Sequence, residues 1–204
     1  MDDLKNKYEI LSNSVDKEIG GILEEFTLVI KLLGNGRQCV RTRLLLNFSL
    51  LEVICTIYNS YYNLELANRE LLKKYINEYL LVEKNIVYRE HQDIKNITVE
   101  HLYKFRNSII HAFSLPEAEG GLSIVVPNGS EKTDVIDKMR KGFVTAGHKV
   151  AFISPDSLTA LFTAGAQMLL LEIFGSKIVA QEDYNALLRV SVEIERRGTK
   201  AISL

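Results

Sequence analysis

The amino-acid sequence predicts a mainly α-helical domain with a short two-stranded β insertion, and three observations carry that prediction. The first third of the 204 positions is helical by period, with apolar residues stepping by threes and fours from Leu4 to Leu33. The short β-branched runs fall in one tract, where glycine and proline bound them. Only 3 prolines punctuate the chain, so long helices are free to run. The length fits one domain over residues 1–204. It divides into a helical core with its motif helix (1–113), a β-hairpin insertion (115–153) and C-terminal helices (154–204).

Each element follows from local signals. Leu4, Tyr8, Leu11, Val15, Ile19, Ile22, Phe26, Val29 and Leu33 form one helical stripe, ended by Gly34-Asn35-Gly36. A second helix is expected from about Arg37 to Tyr62. Its polar residues Gln38, Thr42, Ser49, Glu52, Thr56, Asn59 and Asn63 fall near one line, which faces water or lines a polar groove. A third helix covers about Asn68 to Val82, with Glu70 and Lys74 spaced as an i,i+4 pair; residues 83–96 are polar and remain unassigned. Thr98, followed by Glu100 and His101, opens a helix that reaches about Phe113. Leu122–Val126 and Val150–Ile153 read as strands, with 130–141 either a short helix or a long excursion of the hairpin. Ser154-Pro155-Asp156 starts the helix through Phe174, serine as cap and proline in the first turn. A last helix runs from Gln181 to about Glu195, leaving 199–204 as a tail.

Composition narrows the function. The net charge of −1 gives no global attraction to nucleic acid, so any polyanion site is local. Without tryptophan and with 8% aromatics, a base-stacking platform is disfavoured. Cys39 and Cys55 sit in apolar sequence with no His or Cys at ligand spacing; two buried thiols in a reducing cytoplasm are expected, with no metal and no cofactor. The N-terminus lacks the pattern of a signal peptide. Residues 44–64 contain one formal charge, Glu52, but six polar side chains are scattered among them, so no membrane partner is expected.

One segment carries chemistry, Tyr103 to Phe113, and within it the run Arg106-Asn107-Ser108-Ile109-Ile110-His111. On a helical wheel with Arg106 at 0°, Leu102, Phe105, Ile109, Ala112 and Phe113 cluster between about 240° and 340° as the core-facing stripe. Asn107 falls at about 100° and His111 at about 140°, away from that stripe. Asn107 and His111, one turn apart, can touch. Arg106 lies roughly 7.5 Å along the axis from His111 and on another face. One helix does not converge the two, whereas two copies about a twofold axis set the arginine of one beside the histidine of the other. The competing reading is a solvated or interface-bound structural histidine.

This run resembles the signature of the HEPN family, an arginine followed by a polar residue with a histidine a few positions on, in an all-α bundle. The resemblance covers a dozen residues in motif and about Met1 to Phe113 in helix order. It implies a metal-independent endoribonuclease that works as a homodimer, often as a toxin or antiviral effector. Arg106 and His111 would then be the catalytic pair and Asn107 a polar helper. Histidine titrates near neutral pH and suits removal of a 2′-OH proton; a guanidinium suits the charge that builds on phosphoryl oxygens. Some HEPN toxins carry a tyrosine two residues after the histidine, which an antitoxin modifies; here Phe113 stands there, with no hydroxyl to modify. The alternative is a catalytically inactive HEPN module that binds RNA, a nucleotide or a regulatory protein partner.

Glu52 either supports the site, orienting His111 or a base, or lies on a solvated face. Arg37, Arg41, Arg140 and Lys141 are candidate phosphate contacts or part of a solvated charged surface, as are Arg43, Arg89, His91, Lys138, His148 and Lys149. No glycine-rich phosphate loop and no nucleophile elbow is present in the sequence.

Overall fold

The computed structural model describes residues 2–34, 39–112, 122–127, 133–147, 149–175 and 180–202. The chain is mainly helical. Helix α1 spans Asp2–Leu32 and α2 spans Val40–Tyr62, closed by Asn63 in the left-handed conformation (φ 52°). Then follow α3 (Asn68–Tyr75), α4 (Ile86–Glu90), α5 (Gln92–Lys95), α6 (Val99–Ala112), α7 (Thr133–Thr145), α8 (Pro155–Phe174) and α9 (Gln181–Ile202).

Helix α2 is the central element and packs against α1, α3, α6, α8 and α9. Its Phe48 sets the edge of one ring against Phe105 of α6, centroids 5.3 Å apart, and tilts against Phe162 of α8 at 5.7 Å. All three rings are fully buried, so one aromatic junction joins the motif helix to the core. Helix α8 starts as the sequence predicts: Ser154 accepts from the Ser157 amide at 3.0 Å, with Pro155 at the first turn. Among the described residues α8 is the helix long and apolar enough to cross a membrane, by length and composition alone. Gly165 lets it press close to residues 75–80: a Cβ there would stand 2.4 Å from Leu80 Cδ2 and 3.1 Å from the Tyr79 carbonyl.

Several expectations are corrected. The strands β1 (Leu122–Val125) and β2 (Lys149–Phe152) pair in parallel, Leu122 opposite Lys149 and Val125 opposite Phe152, so 115–153 is not a hairpin. Parallel partners need a crossover, which α7 supplies. The third helix stops at Tyr75 and loosens into a π-helical turn over Ile76–Leu80. Residues 83–96 form α4 and α5, capped by side chains: Asn85 accepts from the amides of Val87 and Tyr88, and His91 from that of Ile94. Helix α9 runs on to Ile202 instead of fraying near Glu195. Both cysteines are free thiols, but only Cys55 is buried and Cys39 is half-buried.

A polar seam, buried on its α2 side, joins α2 to the start of α8. Arg43, 1% exposed, pairs with Asp156. Asn47 donates to the Pro155 carbonyl at 3.0 Å and accepts from the Thr159 hydroxyl at 2.8 Å. The sequence placed α2's polar line elsewhere, on residues one position away in the repeat.

Candidate functional site

Helix α6 is locked in place at its start and along its apolar stripe. The Thr98 amide donates to His101 Nδ1 and the His101 amide donates to the Thr98 hydroxyl, both at 3.2 Å, a reciprocal cap. Burial, with the Lys104 charge beside it, holds the His101 imidazole below its ordinary pKa, in the neutral form this cap needs. Leu102, Phe105 and Ile109 are fully buried, the stripe expected from the wheel.

Arg106 flanks that stripe and is only 8% exposed. Its guanidinium pairs with Glu52 of α2 and donates to Asn107 Oδ1 at 2.8 Å. Two neighbours therefore orient it, one from another helix and one from its own. Burial pulls the guanidinium below its ordinary pKa. Glu52 is half-buried and lies against the motif arginine. Helix α6 carries His111 one turn beyond Asn107; the His111 side chain lies outside the described residues, as does Phe113.

A small cavity of about 230 Å³ opens beside this arginine. Arg106 and Asn107 form one wall together with Tyr103, and Asn68, Arg69 and Leu72 of α3 form the other. The Arg69 guanidinium lies 5.4 Å and the Lys73 ammonium 5.1 Å from the centroid of the Tyr103 ring. Lys73 pairs with Glu100, which Arg69 approaches at 3.9 Å. Three cations thus meet two carboxylates, Glu52 and Glu100, and the walls present guanidinium and amide groups. Such a lining suits an anion with several oxygen acceptors.

The basic candidates lie elsewhere. Arg37 is outside the described residues. Arg41 is exposed in the first turn of α2, and Lys141 is exposed on α7. Arg140 is committed to structure: it donates to both oxygens of Asp93, at 2.6 and 2.8 Å, and lies 4.8 Å over the Phe152 ring. His91 caps α5 through Nδ1 and meets the Ser157 hydroxyl through Nε2 at 3.1 Å, and Arg89 lies 3.6 Å from Glu90. None of the described ones borders the cavity.

Asn68 and Arg69 carry no sequence signal of a site, and Tyr103 opens the motif segment without a role of its own. They sit on two helices 35 residues apart in sequence at the extremes, and nothing local links them. A larger groove, about 800 Å³, runs between α1, α2 and α9. Its floor of Ile22, Phe26, Val53 and Ile57 is apolar, and Arg197 at its rim is held by Glu193 and Thr56. It lacks the convergent donors of the smaller cavity, which is the better candidate despite its size. Among the described residues no group of three or more His, Cys, Asp or Glu side chains is placed to hold a metal ion. Comparison with protein-family models, with curated proteins and with solved structures returns no match for the chain.

Proposed function

We propose that this chain is a HEPN-type, metal-independent endoribonuclease that acts as a homodimer in a toxin or defence setting. The observation that supports it most is the state of Arg106: buried, oriented by Glu52 and Asn107, and bordering a cavity. A fixed guanidinium at a cavity wall is an electrostatic group arranged in advance for phosphoryl oxygens.

In this reading the His111 imidazole takes the proton from a ribose 2′-OH. The 2′-oxygen forms its bond to phosphorus, the bond from phosphorus to the 5′-oxygen breaks, and the 5′-oxygen leaves with a proton. The products carry a 2′,3′-cyclic phosphate and a 5′-hydroxyl. Arg106 stabilises the charge on the non-bridging oxygens; Glu52 holds the guanidinium in orientation and is a positioning residue. The requirement for a 2′-OH restricts cleavage to RNA. The same Glu52 pairing favours a second reading, a HEPN module whose arginine is held away from substrate and which only binds.

Because the arginine of one protomer serves the histidine of the other, two inactive variants complement each other. Arg106→Ala mixed with His111→Ala, after subunit exchange, restores one intact composite site per mixed dimer. With random pairing the mixture recovers about a quarter of wild-type RNA cleavage. Recovery of none, with mixed dimers demonstrated, contradicts the composite site.

A further inference from the structure

We propose that the α3–α6 cavity is a phosphate subsite that holds the RNA backbone next to the scissile linkage, with Arg69 as its gripping residue. This deepens the ribonuclease reading and rests on it, because it takes Arg106 as the wall shared by subsite and reaction centre.

Three features of the cavity select this ligand. The first is charge. Arg106 is paired with Glu52 and Lys73 with Glu100, whereas Arg69 reaches Glu100 only at 3.9 Å. Arg69, with its side chain 63% exposed, is the cation whose charge is least compensated by these carboxylates. Its planar fork suits two oxygens of one phosphodiester.

The second feature is donor geometry. The Asn107 carbonyl oxygen accepts from Arg106, which turns that amide's N–H₂ group away from the guanidinium and leaves it to donate. Asn68, at the opposite wall, supplies another side-chain amide. The walls therefore offer donors from both helices, the complement of phosphate and ribose oxygens.

The third is size. A cavity of about 230 Å³ admits a phosphate with part of its ribose and is small against the 300–1,000 Å³ typical of drug-sized ligand sites. The Tyr103 ring carries two cations over it, at 5.4 and 5.1 Å. It acts here as the platform that holds Arg69 and Lys73 toward the backbone, which makes the grip independent of sequence.

The test is binding of a 2′-O-methyl RNA oligonucleotide, which cannot be cleaved by 2′-OH attack, to the full chain in EDTA. Anisotropy is measured over a salt series, with inorganic phosphate and the DNA oligonucleotide of the same sequence as further probes. Arg69→Ala weakens oligonucleotide binding about tenfold and lowers the slope of log K against log salt by about 0.7, the loss of one phosphate contact on a single strand. Arg69→Lys keeps the slope and recovers part of the affinity. Thermal midpoints show that both variants fold. Binding with this slope change, but no cleavage of ordinary RNA by the wild type, keeps the subsite and removes the nuclease. Cleavage by the wild type, with unchanged affinity and slope in Arg69→Ala, removes the subsite and keeps the nuclease. Binding of inorganic phosphate that Arg69→Ala abolishes, while oligonucleotide affinity and slope stay unchanged in that variant, assigns the cavity to free phosphate and overturns the assignment to an RNA backbone.

Discussion

Among the described residues two arginines are buried, and they do different work. Arg43, 1% exposed, is enclosed in the α2–α8 seam beside Asn47, Thr159 and the Pro155 carbonyl, with Asp156 as its partner. Arg106, 8% exposed, also has a carboxylate partner, but one side of it borders a cavity that Asn68, Arg69, Tyr103 and Asn107 line as well. Burial beside a carboxylate alone does not mark a site, since structural ion pairs show it too. What separates the two is room for a ligand beside the guanidinium. The seam tethers helices; the α3–α6 cavity has space for chemistry.

Substitutions at the two arginine sites separate these roles. The largest effect is expected at the cavity: Arg106→Ala lowers RNA cleavage about a hundredfold or more. At equal folded fraction, measured by circular dichroism, that loss belongs to the site. Asp156→Ala takes this carboxylate from the buried Arg43 and, because Asp156 itself is 59% exposed, costs about 1 kcal/mol of stability. Denaturant titration reads that loss, while cleavage per folded molecule stays within about twofold. Equal effects of both substitutions on cleavage per folded molecule would erase the distinction.

Two smaller effects follow from titration. Burial alone would raise the Asp93 carboxyl, but its two hydrogen bonds from Arg140 outweigh that and hold it below the ordinary carboxylate range. A depressed carboxylate stabilises the fold above its unfolded pKa, and the contribution disappears as pH falls through the folded value. Amide exchange in α7 and β2 should therefore lose protection on acidification before the α2–α6–α8 core does, and Arg140→Met should remove that acid step. The smallest effect concerns the α6 cap. His101 is depressed, so its neutral form is favoured and the cap is present above the ordinary histidine pKa and lost as pH falls through the lower folded value. Protection of the Thr98 amide should fall in that window, by about 0.5–1 kcal/mol.

Much of this molecule was legible in its sequence, and the rest was hidden for physical reasons. The α6 stripe of Leu102, Phe105 and Ile109 reads directly from a helical period, and the Ser154-Pro155 start of α8 from local capping chemistry. The parallel pairing of β1 and β2 did not, because two short apolar runs look the same whichever way they pair. The π-turn after Tyr75 left no local mark, since Ile76–Leu80 continues a helical pattern. At the site, Arg106 and Asn107 stood out as a motif, and Glu52 as the one charge in an apolar helix. Asn68, Arg69 and Tyr103 could not stand out: their significance is a juxtaposition of α3 with α6, and sequence distance conceals it. Arg43 reads from sequence as a phosphate contact or a solvated charge, because an arginine reads as exposed by default; it is instead buried and paired with Asp156, a juxtaposition of α2 with α8 that sequence distance conceals.

The most direct measurement is cleavage of a mixed RNA pool in EDTA by the purified protein beside His111→Ala. The account predicts activity in the wild type alone, with products ending in 2′,3′-cyclic phosphate. Equal cleavage by both proteins, or none by the wild type as a dimer, contradicts it.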